Sequence, residues 1–276
     1  MRPRTVRSAL VTGASGAFGA GVCAALRGRG IDVVGLDSRG SADVVACDIT
    51  DPAAVGAAVA LAVDRLGGLD AVVHCAGVGP AVDVGAEPGV DLRDALEVNL
   101  VGSWRVTAAA LPALTAAPDR GRVVLVASLL AYVTVPFAGA YCVSKRAVVA
   151  YGDALRIEYG GQLAVTTVLP GYVDTPIHDR ARAAGVALDG LVPGERLEDV
   201  VGTVLRVLGS PKPPRETATT RAGEVVRFLA RHLPAAVDGV VLRRARRHVL
   251  SGGFAGSALA EGWKDRLTPA KRELDA

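Results

Sequence analysis

The sequence is poor in aromatic residues, in sulfur and in net charge. Only 4% of its 276 residues are Phe, Trp or Tyr, and it contains one Met and four Cys. Cys23, Cys47, Cys75 and Cys142 form no Cys-x-x-Cys pair, and no His completes a zinc set with them. We therefore expect neither a disulfide framework nor a bound metal, and a cytoplasmic location. The net charge of +3 gives no reason to expect nucleic-acid binding.

Long purely apolar runs are also missing. The longest stretch without a charged residue, 123–144, has the length of a membrane span, but Ser128, Tyr132, Tyr141 and several other polar residues interrupt it. The apolar part of the N-terminus is too short for a signal peptide and leads directly into a glycine motif. We therefore expect no integral membrane segment.

Small aliphatic residues and glycine dominate instead, and half of the chain is hydrophobic. Short β-branched runs alternate with Ala-rich stretches, which is typical of strands separated by helices. Because the strands are continuously apolar, they predict a Rossmann-type doubly wound parallel sheet with three layers, α/β/α. The predicted strands are 8–12, 32–36, 43–46, 70–74, 122–127 and 164–169, and the predicted helices are 19–29, 52–66, 91–114 (with a bend near Pro112) and 141–159.

The pattern weakens after residue 170. We predict a mixed polar segment for 176–198 and an exposed loop for 210–222. Residues 223–250 predict an amphipathic helix with five basic residues near Arg243. We expect a single dinucleotide-binding and catalytic domain, 1–250, with a substrate-covering segment at about 176–222 and a loose C-terminal tail, 251–276.

The charge is unevenly divided. Residues 201–276 contain 14 Lys and Arg against 7 Asp and Glu, whereas residues 1–200 contain 17 against 21. A solvated helix face is the favoured interpretation of the basic part. A partner chain or an acidic membrane surface remains as the alternative. Nucleic acid is not expected, because the arginines lack interleaved aromatic residues.

A glycine-rich turn follows the first predicted strand and opens the first helix. It reads Thr12-Gly13-Ala14-Ser15-Gly16-Ala17-Phe18-Gly19. Glycine lets the backbone approach a pyrophosphate, whose charge the helix N–H groups meet. Asp37 ends the second strand, where a carboxylate can bind ribose hydroxyls and repel a 2′-phosphate. This favours NAD, while Arg39 keeps NADP open; an Asp that caps a turn is the structural alternative.

Ser128, Tyr141 and Lys145 form the strongest catalytic pattern. Tyr141 and Lys145 are four residues apart and share one helix face. An ammonium beside the phenol is expected to lower the pKa of Tyr141, so that it serves as acid and base near neutral pH. Ser128 ends the fifth strand and is placed to hold a substrate oxygen.

Together these motifs resemble the short-chain dehydrogenase/reductase family over about residues 5–180. The resemblance implies NAD(P)-dependent hydride transfer between an alcohol and a carbonyl. It also implies that Ser128, Tyr141 and Lys145 are the catalytic triad, and that Asn99 is a fourth member that bends its helix and holds a water. A homodimer or homotetramer is implied as well, built on the helices 91–114 and 141–159. Among the further cofactor contacts that it implies, Asp48 binds the adenine amino group, Ala76 and Gly77 lie beside the cofactor, and Pro170, Gly171 and Thr175 hold the nicotinamide carboxamide. The remaining implied contacts are Ser38, Cys47, Ile49, Cys75 and Val173.

The sequence departs from the family pattern in three places. Ala17 replaces the middle glycine, and the glycine spacing is similar to the extended branch of epimerases and dehydratases. His74-Cys75 replaces an Asn-Asn pair, so that His74 is either functional or a histidine at a buried strand end. The usual seventh strand is not evident, because residues 237–240 (VDGV) only partly match it and also suit a helix. Only 11 positions separate Asp37 from Asp48, so we expect the usual helix after the second strand to be shortened or missing. The stretches 33–50 (VVGLDSRGSADVVACDIT) and 69–80 (LDAVVHCAGVGP) resemble bacterial NAD-dependent 3α-hydroxysteroid dehydrogenases/carbonyl reductases.

The leading hypothesis is an NAD-dependent oxidoreductase that interconverts a secondary alcohol and a ketone. The substrate is expected to be hydrophobic, such as a steroid, terpenoid or polyketide-like molecule, because the predicted site lip is mainly apolar. An NAD-binding regulator or scaffold without turnover and an epimerase or dehydratase with retained NAD are the alternatives. Besides 176–198, the predicted lip residues are Leu129, Leu130, Tyr132, Val135, Pro136 and Tyr172.

Overall fold

The computed structural model describes residues 6–186, 194–250, 254 and 256–267. Its centre is a sheet of seven parallel strands in the order β3-β2-β1-β4-β5-β6-β7, which confirms the predicted Rossmann-type fold. The strands are β1 Ser8–Thr12, β2 Asp32–Asp37, β3 Val44–Ala46, β4 Ala71–His74, β5 Gly121–Val126, β6 Leu163–Leu169 and β7 Glu216–Ala218.

Helices cover both faces of the sheet. On one face, α2, α4 and α5 pack on a core that includes Leu10, Leu36 and Leu125; on the other, α1 and α7 pack on Val11 and Val73. The strands β1, β4 and β5 are buried along their whole length, as a three-layer fold requires. The helices are α1 Ala17–Arg27, α2 Pro52–Leu66, α3 Val90–Leu96, α4 Ser103–Thr115, α5 Gly139–Tyr159, α6 Asp179–Ala183, α7 Leu197–Gly209, α8 Arg221–His232, α9 Pro234–Leu250 and α10 Ala258–Leu267.

Local sequence explains where the elements begin and end. The Asp51 side chain accepts hydrogen bonds from the N–H groups of Ala53 and Ala54 and so caps α2, with Pro52 in its first turn. Gly67 ends that helix with a φ of +62°, in the left-handed region that favours glycine. Residues 38–43, between β2 and β3, form bends, a turn and a bridge of Ser41 with Val44 rather than a helix, as the short Asp37–Asp48 separation predicts.

Three predictions for the C-terminal third were wrong. The segment 210–222 is not only an exposed loop, because it contains β7, which pairs with β6. The segment 223–250 lies in two helices, α8 and α9, which are separated at Leu233. Within the predicted loose tail, 258–267 forms α10, where Ala260 and Trp263 pack with Phe137 and Val241 in a third core cluster.

The predicted helix over 91–114 is confirmed in its extent, since helical structure runs from Val90 to Thr115, but its irregular part lies elsewhere than at Pro112. The interruption is a π-helical turn, Glu97–Gly102, between α3 and α4, and Pro112 lies within α4. Residues 187–193 of the predicted substrate-covering segment lie outside the described residues, as do 251–253, 255 and 268–276 of the predicted tail. Within the described residues, no helix has both the length and the apolar content that a membrane span requires.

Candidate active site

The glycine turn between β1 and α1 is tightly packed against backbone. A Cβ on Gly13, whose φ is +66°, would lie 2.6 Å from the Ala76 nitrogen, and a Cβ on Gly19 would lie 2.1 Å from the Gly13 oxygen. Gly16 is the N-cap of α1, and no side chain caps the helix there. The glycines therefore let the turn pack closely on backbone, and the helix N-terminus that follows it suits the phosphates of a dinucleotide. Ala17 fits as the first residue of α1.

Asp37 fastens this turn to the end of β2. Its Oδ2 accepts a hydrogen bond of 3.1 Å from the Ser15 N–H, and its Oδ1 accepts one of 3.1 Å from the Arg39 N–H. The Ser15 hydroxyl in turn donates to the Arg39 carbonyl. Asp37 therefore caps the turn, as its structural alternative predicts. Each of its carboxylate oxygens keeps a further lone pair, so Asp37 also fits the hydroxyls of an adenosine ribose.

The predicted adenine-side residues follow β3. The exposed Asp48 carboxylate accepts hydrogen bonds from the N–H and the hydroxyl of Thr50, which lower its pKa. Cys47 and Ile49 on either side of it are buried. Asp48 is therefore held as an anion at the surface, where its remaining lone pairs suit an amino group.

Ser128 lies just beyond β5 and joins it to the end of β6. It is 5% exposed, its hydroxyl donates a long hydrogen bond of 3.4 Å to the Pro170 carbonyl, and it accepts one from the Leu130 N–H. The Leu129 N–H also donates to the Pro170 carbonyl, at 2.8 Å. Ser128 therefore lies at the carboxyl end of the sheet, next to the predicted cofactor segment that begins at Pro170.

Tyr141 and Lys145 share one face of α5, as predicted. The Lys145 Nζ lies 5.6 Å from the centre of the Tyr141 ring and donates a hydrogen bond of 3.0 Å to the Val126 carbonyl. Burial lowers the pKa of Lys145 to about 8. Burial raises the pKa of Tyr141 above its usual value, although its hydrogen bond with Ser128 opposes the increase. The expected lowering of the Tyr141 pKa was therefore wrong for this arrangement, because desolvation of the phenol prevails.

Asn99 lies in the π-helical turn and connects the end of β4 with α5. Its Oδ1 accepts from the Val78 N–H at 2.8 Å, and its Nδ2 donates to the Val78 carbonyl at 3.0 Å and to the Ser144 hydroxyl at 2.8 Å. The Ser144 hydroxyl donates to the Tyr141 carbonyl. Asn99 thus holds the turn after β4 against the helix that presents Tyr141.

Sequence reasoning missed Ser144, although it precedes Lys145 directly. A serine inside a helix carries no pattern that identifies its partner on another element. The neighbouring Gly77 is equally constrained, because a Cβ there would lie 3.0 Å from the Asn99 Oδ1 and 3.3 Å from the Lys145 Nζ. Gly77 therefore gives both side chains access to the same space.

His74 is a buried residue at the end of β4, with 2% of its surface exposed. Its Nε2 lies 2.9 Å from the Thr107 hydroxyl, which itself donates to the Ser103 carbonyl, so that the Nε2 carries the proton. Burial and the Lys145 charge lower the pKa of His74 to about 3. These contacts favour the structural interpretation of His74, as a neutral core residue.

A narrow, largely apolar cavity adjoins Ser128 and Tyr141. Two of the expected lip residues, Tyr132 and Pro136, do not line it. The Tyr132 hydroxyl donates instead to Glu216 at 2.8 Å, and the ring faces a separate, arginine-rich cavity of about 820 Å³ that does not reach Ser128. The first cavity is lined by Phe18, Ala127, Ser128, Leu129, Leu130, Val135, Tyr141, Pro170, Gly171, Tyr172, Val173, Thr175, Ile177 and His178.

Glu195 ties the predicted nicotinamide segment to the start of α8. It accepts a hydrogen bond of 2.9 Å from the Gly171 N–H, one of 2.8 Å from the Thr220 hydroxyl, and another from the Thr219 hydroxyl. Sequence reasoning did not single out Glu195, since one acid in the polar segment 176–198 carries no periodicity and no motif.

Comparisons with known proteins show which family the chain belongs to. A family model described as short chain dehydrogenase matches residues 7–185. The chain is 32% identical over 192 residues to Oxidoreductase UcpA of Escherichia coli strain K12, covering 63% of this chain and 72% of that protein. It is 34% identical over 232 residues to 1-deoxy-11-beta-hydroxypentalenate dehydrogenase of Streptomyces arenae, covering 75% and 80%, respectively.

Solved structures share the fold. A short chain dehydrogenase from Mycobacterium paratuberculosis bound to NAD superposes with a TM-score of 0.72 at 23% identity, over 80% of this chain and 99% of that one. One from Burkholderia cenocepacia J2315 in complex with NADP gives 0.72 at 25%, over 86% and 98%. The two neighbours hold different cofactors, so their likeness does not distinguish NAD from NADP. Because the family model covers more than half of its length, the chain belongs to the short-chain dehydrogenase/reductase family.

Proposed function

We propose that the protein is an NAD-dependent oxidoreductase that interconverts a secondary alcohol and a ketone, with Tyr141 as the general acid and base. The observation that carries this proposal is the meeting of Ser128 and Tyr141 at one apolar cavity, with the Lys145 ammonium 5.6 Å from the tyrosine ring. An alcohol oxidation needs a proton acceptor and a group that orients the oxygen, and this arrangement offers both.

Each polar residue of the site has a distinct proposed part. In the oxidation direction Ser128 orients the substrate oxygen, and Tyr141 takes its proton; in reduction Tyr141 donates it. Lys145 supplies positive charge near the phenol, and Asn99 keeps α5 and the turn after β4 in register. The bound nicotinamide would accept or supply the hydride. Burial raises the pKa of Tyr141 and makes its phenol hard to ionise, whereas the Ser128 hydrogen bond favours the anionic form.

The glycine turn and Asp37 support a dinucleotide, and the Asp37 carboxylate supports NAD over NADP because it would repel a 2′-phosphate. The proposed NAD contacts are Gly13, Ser15, Gly16, Ala17, Phe18, Gly19, Asp37, Ser38, Cys47, Asp48, Ile49, Cys75, Ala76, Gly77, Tyr141, Lys145, Pro170, Gly171, Val173 and Thr175.

A hydrophobic substrate is supported by the apolar side chains of the cavity, among them Leu130, Val135 and Ile177. The missing helix between β2 and β3 supports a place near the bacterial 3α-hydroxysteroid dehydrogenases/carbonyl reductases. A homodimer or homotetramer is supported by exposed apolar side chains on α4 and α5, where Trp104 stacks on Tyr151 at 4.5 Å. We place the protein in the cytoplasm, with 1–250 as one catalytic domain.

Turnover by a tyrosine variant tests the proposal. The purified protein is incubated with NAD and a panel of apolar secondary alcohols, and formation of the reduced nicotinamide is followed by absorbance. Tyr141→Phe is expected to reduce kcat by about 10²–10⁴-fold, whereas NAD binding is retained. Tyr159→Phe, on the same helix, is the matched control.

The two alternatives give different outcomes in the same experiment. NAD binding without turnover across the panel would favour a regulator or scaffold. NAD released only when freshly purified protein is denatured would favour an epimerase or dehydratase. A Tyr141→Phe variant with wild-type turnover would refute the acid–base assignment.

A further inference from the structure

Exposed apolar side chains are concentrated on the C-terminal helices α8 and α9. Of the twelve large hydrophobic residues that are exposed in the described part of the chain, six lie within 225–242. The other six are spread over residues 61–157. Scattered exposed apolar residues need no explanation, whereas a concentration of them indicates an interaction surface. The six residues are Val225, Phe228, Leu229, Leu233, Val240 and Leu242, which we name the apolar patch.

Three residues of the patch lie on the outer face of α8. Val225, Phe228 and Leu229 are spaced i, i+3 and i+4, so that they form one stripe on the helix, and Leu233 directly follows it. The inner face of α8 is different, since the buried Gly223 and Ala230 lie there. Phe228 and Leu233 are more than half exposed, at 58% and 54%. The stripe therefore points away from the protein core.

Positive charge is concentrated in the same two helices as the apolar patch. Residues 221–250 contain seven arginines and only two acids, Glu224 and Asp238. Arg227 pairs with Glu224 at 2.7 Å and with Glu216 at 3.8 Å, and Arg231 pairs with Glu216 at 3.5 Å, so the arginines of α9 supply most of the remaining positive charge. On the surface of α9, Arg243, Arg246 and Arg247 are all exposed. An apolar stripe with aromatic and leucine side chains beside a dense arginine cluster is the composition that binds anionic lipid surfaces.

We propose that α8 and α9 dock the protein on an anionic membrane surface. Phe228, Leu229 and Leu233 would enter the interface, while the arginines would contact the lipid phosphates. A second copy of the same surface fits less well, because a two-fold contact would bring the exposed arginines of two α9 helices together. At twelve residues α8 is about 18 Å long, too short to cross a bilayer, so the helix lies along the surface.

Docking would bring the candidate active site towards the lipid. The helix α8 packs on the turn Leu129–Ala131 that directly follows Ser128. The helix α9 contributes Val241 and Ala245 to the same cluster as Leu130 and Val135, which line the catalytic cavity. An apolar substrate dissolved in the bilayer would thus be near the site. Membrane binding is measured without turnover, so its outcome is independent of the proposed reaction.

Vesicle cosedimentation tests the proposal. The full chain is mixed with phosphatidylcholine vesicles that either contain or lack phosphatidylglycerol, at low and high salt. Binding is expected only with phosphatidylglycerol and is expected to weaken at high salt. Phe228→Ser together with Leu229→Ser should weaken binding by at least about tenfold, because the membrane would no longer bury two apolar side chains. Leu61→Ser, which changes an apolar residue that is 39% exposed on α2, outside both proposed interaction surfaces, is the matched control and should bind as wild type.

Folding and self-association are measured on the same samples. The variants must keep the wild-type circular dichroism and melting temperature, and Arg246→Gln with Arg247→Gln gives a second test that leaves the apolar patch intact. Absence of wild-type binding to phosphatidylglycerol vesicles would overturn the proposal. So would binding that neither double variant weakens. If the wild type did not bind vesicles and Phe228→Ser with Leu229→Ser dissociated an oligomer, the apolar patch would be an interface with a second copy of the chain.

Discussion

Replacement of Glu195 by alanine should destabilise the protein and weaken the cofactor site together. The carboxylate accepts three hydrogen bonds, from the Gly171 N–H and from the Thr219 and Thr220 hydroxyls. Hydrogen bonds to a charged group contribute about 1.5–3 kcal/mol each, but the two hydroxyls can turn to other acceptors after the substitution. The Gly171 N–H cannot turn, so we expect the free energy of unfolding to fall by about 2–4 kcal/mol.

The functional effect follows from the neighbour of Gly171. The Pro170 carbonyl accepts hydrogen bonds from Ser128 and from the Leu129 N–H, so a displaced segment would move the substrate side and the cofactor side of the site at once. We expect the KM for NAD to rise and kcat to fall in Glu195→Ala. In Glu195→Gln, which keeps one carbonyl oxygen as an acceptor, the loss of stability should be about half as large.

Urea unfolding and steady-state kinetics with NAD measure both effects. Glu198→Ala is the matched control, because its carboxylate lies at the start of α7 with 68% of its side chain exposed and pairs only with Arg196 among the ion pairs that the structure describes. An exposed pair of this kind contributes at most about 1 kcal/mol. If Glu195→Ala unfolded within about 0.5 kcal/mol of the wild type and kept its KM for NAD, the positioning argument would be refuted.

Three further predictions concern other parts of the chain. Gly19→Ala should weaken NAD binding by more than about tenfold, because its Cβ would lie 2.1 Å from the Gly13 oxygen. A fluorescence titration with NAD measures this effect. Gly239→Ala, where a Cβ meets nothing within 4 Å, is the control. Below pH 6.5 the unfolded chain protonates His74 while the folded protein, with a pKa of about 3, does not. The free energy of unfolding should therefore fall by roughly 1.4 kcal/mol for each unit by which the pH is lowered below 6.5. In His74→Asn, the free energy of unfolding from urea titrations should depend less steeply on pH. Trp104→Ser, at a position 53% exposed on α4, should reduce the oligomer mass measured by light scattering, and an unchanged mass would remove α4 from the proposed interface.

The six strands that the sequence predicts are those with continuous apolar runs. β5 is an example, because GRVVLV must be buried on both faces wherever it lies in the fold. β7 could not be predicted in this way. Its three residues, Glu216–Ala218, carry no alternation, and they form a strand because β6 offers an open edge for pairing. Helix α7 was missed for a related reason, since its Pro- and Gly-rich surroundings obscure the spacing of Val200, Val204 and Leu208.

The candidate site also has features that the sequence predicts and features that it does not. The four-residue spacing of Tyr141 and Lys145 predicts their shared face, because it depends only on helix geometry. The hydrogen bond from Lys145 to Val126, and the burial that raises the Tyr141 pKa, depend on elements far apart in the sequence. Glu195 is the extreme case, since its partners lie 24 and 25 residues away on two different elements.

The π-helical turn Glu97–Gly102 has a consequence for insertions and deletions. A π turn is equivalent to one extra residue within an α-helix. Deleting one residue there would produce a more regular helix and rotate the preceding segment by about 100°. Ala95, which is fully buried in α3, would turn towards solvent, and Asn99 would lose its alignment with Ser144. A helix shorter by one residue would be more regular, but it would separate Asn99 from Ser144. The less regular π-helical turn keeps these two side chains together.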